Sequence, residues 1–321
     1  MIVLGIETSC DETGVGIING DKILANLVRN QIIHSQFGGV VPELAARDHI
    51  RNIIPVLDAA LKKSNLVIET IDLFAYTRGP GLLGALLVGS TFTRSLGLSL
   101  NRPTIGVSHI ESHIFSLYPD LTYPILILVI SGGHTELIIT HNQFEYESIG
   151  TTIDDACGEA FDKVARILGK PYPGGPEIER LSKEGNPENV PLPKPKTKGF
   201  DFSFSGLKTA VLYFSRDHPD ANPADIGASF QRVVSDYLIE KTLAAAQRFR
   251  INRIGVCGGV SANQMIKERF LNLKNYEIIF PRAELSTDNG VMVAYCGLKR
   301  FERFGPSPLN LPVFATRKGL L

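Results

Sequence analysis

Tyr123-Pro-Ile-Leu-Ile-Leu-Val-Ile-Ser-Gly-Gly-His-Thr135 joins an uncharged apolar run to a polar glycine turn, and a second apolar run, Glu136 to Thr140, follows at once. Runs of this length closed by turn residues read as buried strands. The turn His141-Asn-Gln143 leads to a third strand at Phe144 to Ile149, and a helix follows at Asp155 to Leu168. The chain begins in the same order. Ile2 to Glu7 is a first strand, Thr8-Ser-Cys-Asp-Glu-Thr13 a polar turn and Gly14 to Ile18 a second strand; Asn19-Gly20 is a type I′ hairpin signal before a third at Ile23 to Arg29. A helix then opens at Pro42, with Leu44, Ile50, Ile53, Ile54, Leu57 and Leu61 on one stripe. The two units start near residues 2 and 123 and repeat in organisation, not in residue identity. They predict a duplicated α/β domain with a cleft between its halves. The first half is expected at 1–118, completed by the C-terminal segment 300–321, and the second at 119–299.

Further along, Leu73 to Thr77 reads as a strand, Arg78-Gly-Pro-Gly81 as a turn, and Leu82 onward as a small-residue helix. A long helix is expected near Phe230 to Phe249, then a strand at Arg253 to Cys257 and a helix starting near Gln264. Three polar turns therefore sit just after strands, at Thr8–Thr13, Ser131–Thr135 and Gly258-Gly-Val-Ser-Ala-Asn263. Open α/β sheets place their ligands at such ends. Glycines let backbone N–H groups approach phosphate oxygens, and hydroxyls add donors. One such turn also suits any tight bend; three in this order on a duplicated frame are the layout of actin-like ATPases. On the helix from Asp155, the residues Asp155, Glu159, Asp162 and Arg166 share one side, while Cys157, Phe161, Val164 and Leu168 face the core. Asp162 is then placed to meet ribose hydroxyls, with Tyr172-Pro-Gly-Gly-Pro176 closing the site and Glu179 on a short helix beyond. A plain solvated helix face has the same spacing.

Composition excludes several classes. With 44% hydrophobic and 21% charged residues in 321, the chain buries a core without staples. Cys10, Cys157, Cys257 and Cys296 show no CxxC spacing, so neither a zinc ribbon nor a disulfide framework is indicated and a reducing cytoplasm fits best. The start MIVLGIETSC reads as a strand, not a signal peptide, and Leu82 to Leu100, interrupted by Arg94, reads as a buried helix, not a membrane span. The formal net charge is zero, so no global field attracts nucleic acid. One segment is locally basic: Lys194, Lys196, Lys198, Lys208 and Arg216 stand against Asp201 alone between Val190 and Arg216. A solvated surface loop would carry the same lysines.

His109-Ile-Glu-Ser-His113 places two histidines four apart on one helix face, a spacing that grips a divalent metal or packs two rings at a helix end. It is not a zincin motif. Glu111 stands two residues after the first histidine, about 200° around the helix at roughly 100° per residue, and faces away from any metal held by the pair.

Taken together, IETSCDET at 6–13, HIESH at 109–113, ISGGHT at 130–135, GEAFDK at 158–163, YPGGPEIE at 172–179, FSFSGLK at 202–208, CGGVSAN at 257–263 and STDNG at 286–290 resemble the tRNA N6-adenosine threonylcarbamoyltransferase family, bacterial TsaD type. The resemblance implies duplicated ribonuclease-H-like domains of the actin-like ATPase (ASKHA) superfamily, with the nucleotide in the interdomain cleft. It implies transfer of threonylcarbamoyl from threonylcarbamoyl-AMP to N6 of adenosine 37 in tRNAs reading ANN codons, with release of AMP. By the same resemblance His109, His113 and Asp288 hold one divalent metal, iron(II) or zinc. Val129, Ile130, Ser131, Gly132, Gly133, Asp162, Gly175, Glu179 and Asn263 hold the acyl-nucleotide, and the expected partners are a TsaB-like paralogue and a TsaE-like ATPase. The exocyclic amine of adenine must lose a proton, and Asp11, Glu12 and His134 are equal candidates for the base. A metallopeptidase, an ATP-dependent small-molecule kinase on the same fold and a non-catalytic scaffold are the alternatives. Of these, the peptidase lacks a correctly placed glutamate.

Overall fold

In the computed structural model, which describes residues 1–316 apart from the side chain of Ser35, local sequence signals account for most elements. In chain order these are β1 (Ile2–Glu7), β2 (Glu12–Asn19), β3 (Lys22–Asn30), α1 (Pro42–Ser64), β4 (Leu73–Gly79), α2 (Leu83–Ser99), β5 (Thr104–Ser108), α3 (His109–Phe115), β6 (Ile125–Ile130), β7 (Thr135–Asn142), β8 (Glu145–Thr151), α4 (Cys157–Ile167), α5 (Gly174–Ser182), α6 (Ser205–Asp217), α7 (Pro223–Phe249), β9 (Arg253–Cys257), α8 (Gln264–Leu271), β10 (Glu277–Ile279) and α9 (Gly290–Phe304). The chain forms two units, Met1–Leu121 with Pro281–Leu321, and Thr122–Phe280.

Each unit contains the same sheet. In the first, the order is β3-β2-β1-β4-β5, antiparallel through β3, β2 and β1 and parallel through β1, β4 and β5. In the second it is β10-β9-β6-β7-β8, the same arrangement read from the other edge, with β6 and β9 parallel in a register that pairs Val129 with Cys257. The duplication expected from the order of strands and turns is therefore present. The apolar strand Ile125–Ile130 is buried along its whole length and anchors the core of the second unit.

Four elements gave no sequence signal that was read: β5, β10, α6 and α9. The helix expected near Phe230 begins at Pro223, where Asn222 accepts a hydrogen bond from Ala224 N–H at 3.0 Å and proline occupies the first turn. The small residues after it hide the helical stripe. The unit boundaries differ from those expected in one consequential respect: residues 281–299 pack with the first unit, because α9 lies across β1 and β2. Residues 317–321, part of the expected C-terminal segment, lie outside the described residues.

Glycine makes that packing possible. A methyl group on Gly16 would lie 2.2 Å from the Val291 nitrogen, one on Gly5 2.2 Å from the Gly290 oxygen, and one on Gly290 2.0 Å from the Gly16 nitrogen. These clashes involve backbone on both sides, so only glycine allows the approach. Gly290→Ala is expected to push α9 off β1 and β2, costing about 1–3 kcal/mol from overpacking. Because Asp288 immediately precedes this helix, the same variant should bind a divalent metal at least tenfold more weakly, measured by calorimetric titration; unchanged affinity would separate the two effects.

The stripe expected on α1 divides. Ile53 and Leu57 are buried with Ala45, Val56 and Ala60, whereas Ile50 and Ile54 are each 62% exposed. The expectation that the helix from Leu82 is buried also needs correction, since α2 exposes Leu83, Leu87 and Leu98 while it buries Ala85, Leu86, Gly89 and Thr93. A methyl on Gly84 would sit 3.1 Å from Ala46 Cβ, so small residues bring α1 and α2 side by side and the larger apolar residues are left outside. No described helix is long and apolar enough to cross a membrane.

Candidate functional site

The first unit carries three residues that could hold a metal ion, His109, His113 and Asp288. The short helix α3 follows β5 directly, and all seven of its residues are buried. One turn separates His109 from His113, and their rings meet edge to face with centroids 4.6 Å apart. Asp288 reaches them from the turn before α9. Asn289 organises that turn: its side-chain oxygen accepts from Met292 N–H at 2.9 Å, and its amide donates to the Leu285 and Thr287 carbonyls at 3.2 and 2.7 Å. Asp288 Oδ1 then lies 3.1 Å from His113 Nε2 and 3.8 Å from His109 Nε2. One ligand atom from each of the three residues falls within 4.8 Å of the other two.

His113 argues that the set is built for a cation. It is fully buried, and neither ring nitrogen has a hydrogen-bond partner among the described residues; the 3.1 Å approach to Asp288 lacks hydrogen-bond geometry. Leaving such a group unsatisfied costs about 1–3 kcal/mol, and ligation by a metal removes that cost. Two imidazoles and a carboxylate suit iron(II) or zinc and leave further positions open.

Behind His109 stands Glu7, which the sequence reading passed over as the end of a strand. Glu7 is buried, takes Ser9 N–H at 2.5 Å on one oxygen and Thr77 O–H at 2.6 Å on the other, and lies 3.3 Å from His109 Nδ1. Ser9 Oγ is 3.1 Å from the same nitrogen. A carboxylate on Nδ1 turns Nε2 toward Asp288 and fixes the tautomer that ligates through Nε2. Without a cation, burial opposes charge on His109, but Asp288 and Glu7 outweigh it and push its pKa up to about 9. For Glu7, burial acts upward, and the pairing with His109 holds the carboxyl below its ordinary range. Binding a cation at Nε2 requires loss of the imidazolium proton.

Glu111 points elsewhere, as its helical phase requires. It is 1% exposed, and its Oε2 accepts from Arg300 Nε of α9 at 2.6 Å. It is a structural counter-ion.

Asp11 and Glu12 also belong to the first unit, Asp11 in the turn after β1 and Glu12 as the first residue of β2. Burial pushes the Glu12 carboxyl well above its ordinary range, and the Asp288 and Asp11 carboxylates add to the effect. The third candidate base, His134, is in the second unit, where its N–H donates to Ser131 Oγ at 3.1 Å.

In the second unit the expected nucleotide residues cluster at the ends of the parallel strands β6 and β9. Val129 and Ile130 close β6, and Ser131 to His134 form a turn seated on the start of α4, where Cys157 N–H donates to Thr135 Oγ1 at 2.8 Å and Gly158 N–H to the Ser131 carbonyl at 3.1 Å. A methyl on Gly158 would lie 2.8 Å from Gly132 Cα, so this seat requires glycine. Gly132 and Gly133 are exposed, with open space where a Cβ would be. Asp162 accepts from Gly174 N–H at 2.7 Å, which ties α4 to the turn that carries Gly175. Glu179 accepts from Gln264 N–H at 3.1 Å, and Asn263 caps α8 through Ile266 N–H at 3.0 Å while donating to Gln231 at 2.9 Å. Asp162 of α4 thus meets the start of α5, which carries Gly175, and Glu179 of α5 meets the start of α8, which Asn263 caps.

The basic segment resolves differently. Lys194 pairs with Glu240, Lys208 with Asp155 at 3.0 Å and Arg216 with Asp217 at 2.8 Å, while Lys196 and Lys198 are exposed on the same segment. Asp155 also takes Lys163 at 2.6 Å and so serves a lysine network.

Comparison with known proteins agrees with this arrangement. A tRNA N6-adenosine threonylcarbamoyltransferase from Thermosipho africanus is 49% identical over 314 residues, covering 94% of this chain and 95% of its own. One from Kosmotoga olearia is 47% identical over 318 residues, covering 97% and 96%. Among solved structures, full-length HypF in a phosphate- and nucleotide-bound form aligns with TM-score 0.61 at 16% identity, over 95% of this chain and 56% of that one, which establishes the actin-like ATPase fold and no more. The TsaD family model, tRNA N6-adenosine threonylcarbamoyltransferase, matches residues 22–295, and the chain belongs to that family of transferases.

Proposed function

We propose that the chain transfers the threonylcarbamoyl group of threonylcarbamoyl-AMP to N6 of adenosine 37 in tRNAs that read ANN codons, forming N6-threonylcarbamoyladenosine. The observation that carries this reading is the His109–His113–Asp288 set, with both histidines buried, in a chain of this family. The donor is a mixed carbamic–phosphoric anhydride, already activated, so no covalent enzyme nucleophile is needed. N6 attacks the carbamoyl carbon, the bond from that carbon to the phosphate oxygen breaks, AMP departs, and the amine proton passes to a base. Positioning and charge stabilisation then supply the catalysis.

In the first unit His109, His113 and Asp288 hold one divalent metal, iron(II) by preference and zinc as the alternative, with Glu7 orienting His109. When bound, such a cation neutralises charge developing on phosphate or carboxylate oxygens. In the second unit Val129 to Gly133, Asp162, Gly175, Glu179 and Asn263 hold the acyl-nucleotide, with the exposed backbone of Gly132 and Gly133 suited to oxyanions. Asp11, Glu12 and His134 are the candidate bases. Burial and the neighbouring Asp288 and Asp11 carboxylates raise the Glu12 carboxyl above its ordinary range, which makes its carboxylate form a stronger base than an ordinary glutamate. Access to N6 requires an unstacked adenine, as single-stranded loops allow. A tRNA substrate and four free cysteines support a cytoplasmic location.

The exposed Ile50, Ile54, Leu83 and Leu87 support docking of a TsaB-like paralogue on α1 and α2, with a TsaE-like ATPase completing the system. Ile54→Asp is expected to weaken that association at least tenfold in a binding titration, without lowering the melting temperature, because the side chain it replaces packs against solvent. The test of the function is incubation of the purified chain with threonylcarbamoyl-AMP, tRNA and both partner proteins, followed by nucleoside mass spectrometry. Modified adenosine dependent on the chain is the expected result. Failure to form it, with metal-loaded protein and intact donor, would remove the reading.

A further inference from the structure

His49 is a buried histidine that neither the metal set nor the nucleotide residues use. It projects from the inner side of α1 and is fully shielded from solvent. Its Nε2 lies 3.0 Å from the Cys10 carbonyl and its Nδ1 2.8 Å from Thr13 Oγ1. A carbonyl only accepts, so Nε2 carries the proton; in the neutral ring Nδ1 then accepts from the Thr13 hydroxyl. One imidazole therefore spans the end of the β1–β2 turn and the start of β2, from Cys10 to Thr13, and the two residues between its contacts are Asp11 and Glu12. The same helix secures the turn a second way. Gln31 N–H donates to the Asp11 carbonyl at 3.2 Å, while the Gln31 side chain donates to the Ala45 carbonyl of α1 at 3.1 Å and is held by His34 at 2.8 Å.

Asp11 and Glu12 stand near Asp288, so a shift of this stretch would change the spacing of the three carboxyl groups. Burial holds the His49 pKa below its ordinary value, outweighing the Cys10 carbonyl and the Glu7, Asp48 and Asp11 carboxylates around the ring, all of which favour the charged imidazole. The ring is thus neutral near pH 7, as the tautomer assignment requires.

We infer that His49 is a positioning residue for the proposed transfer: as a neutral two-ended clasp between the Cys10 carbonyl and the Thr13 hydroxyl, it holds Asp11 and Glu12 in the geometry the reaction uses. The inference rests on the proposed function for its kinetic consequence, and on the turn alone for its structural one.

Four variants test it in the reconstituted reaction: His49→Leu removes both contacts, His49→Gln retains a donor near the Nε2 position, His49→Asn retains an acceptor near the Nδ1 position, and Thr13→Val removes one contact without touching the histidine. His49→Leu and Thr13→Val should lower kcat about 10- to 100-fold, the scale of a misplaced catalytic group, with KM for tRNA and metal content unchanged. His49→Gln and His49→Asn should each recover part of the loss, and His49→Gln combined with Thr13→Val should be no worse than Thr13→Val alone. Amide hydrogen exchange should show faster exchange at residues 10–13 in His49→Leu and Thr13→Val, and wild-type protection elsewhere. The inference fails if all four variants keep wild-type kcat and protection, or if kcat falls only in step with melting temperature or metal content. Should the wild-type chain form no modified adenosine, the proposed function fails and hydrogen exchange alone decides whether the clasp exists. If His49→Leu does not fold, Thr13→Val carries the same comparison.

Discussion

His113→Ala should leave a protein that no longer retains a divalent metal through gel filtration and forms modified adenosine at least about 100-fold more slowly. Second-shell partners of metal sites already cost 10- to 100-fold when removed, so loss of a direct ligand sets the larger expectation. The fold should tolerate the change better than most buried substitutions. No hydrogen-bond partner loses its mate, because the His113 ring nitrogens have none among the described residues, and the penalty reduces to a cavity beside α3. Asp288→Asn should weaken metal binding in the same direction through loss of charge. Metal analysis and nucleoside mass spectrometry on the same preparation give the readout. A His113→Ala protein with stoichiometric metal and normal product would show that the three residues are not the centre.

Arg300→Met should destabilise the first unit by about 3–5 kcal/mol, the cost of breaking a buried ion pair by removing one partner. Glu111 is the charge concerned: it is 1% exposed, its partner Arg300 is 20% exposed at the side chain, and they meet at 2.6 Å. Protonation of Glu111 would relieve part of the cost, so the loss should be smaller at acid pH than at pH 8. The double variant Glu111→Gln with Arg300→Met should recover most of the stability, since replacing both members of a buried pair is often close to neutral. Denaturant titration of the three proteins measures this. Glu111→Gln alone should still bind metal; a loss of metal binding without a loss of stability would return Glu111 to the site and reopen the peptidase alternative.

Local signals carried the frame a long way. Glycine turns, the Asn19-Gly20 hairpin and buried apolar runs act over a few residues, so β1, β6 and β9 lie within two residues of where the sequence puts them. The elements not anticipated are those whose stability comes from packing. In α9 the residues from Gly290 to Leu298 are nearly all buried, so no polar face marks the helix, and its small residues make sense only once Gly5 and Gly16 are seen beneath it. On α1 the apolar stripe was visible, but its division into buried Ile53 and Leu57 and exposed Ile50 and Ile54 depends on where α2 lies.

The candidate site divides in the same way. The sequence by itself determined that His109 and His113 share a helix face and that Glu111 does not, because a helix repeats every 3.6 residues whatever surrounds it. It determined the glycine turns after the strands, for the same local reason. Asp288 could be named from the chain only by resemblance; no spacing connects it to the histidines, and its approach to His113 at 3.1 Å exists because Gly290 lets α9 settle onto β1 and β2. Glu7 behind His109, Arg300 against Glu111 and His49 across the Cys10–Thr13 turn carried no sequence signal. Each is a charged or polar side chain buried against a partner remote in the chain. Burial and long-range contact are properties of the packed state, so only the tertiary structure decided them.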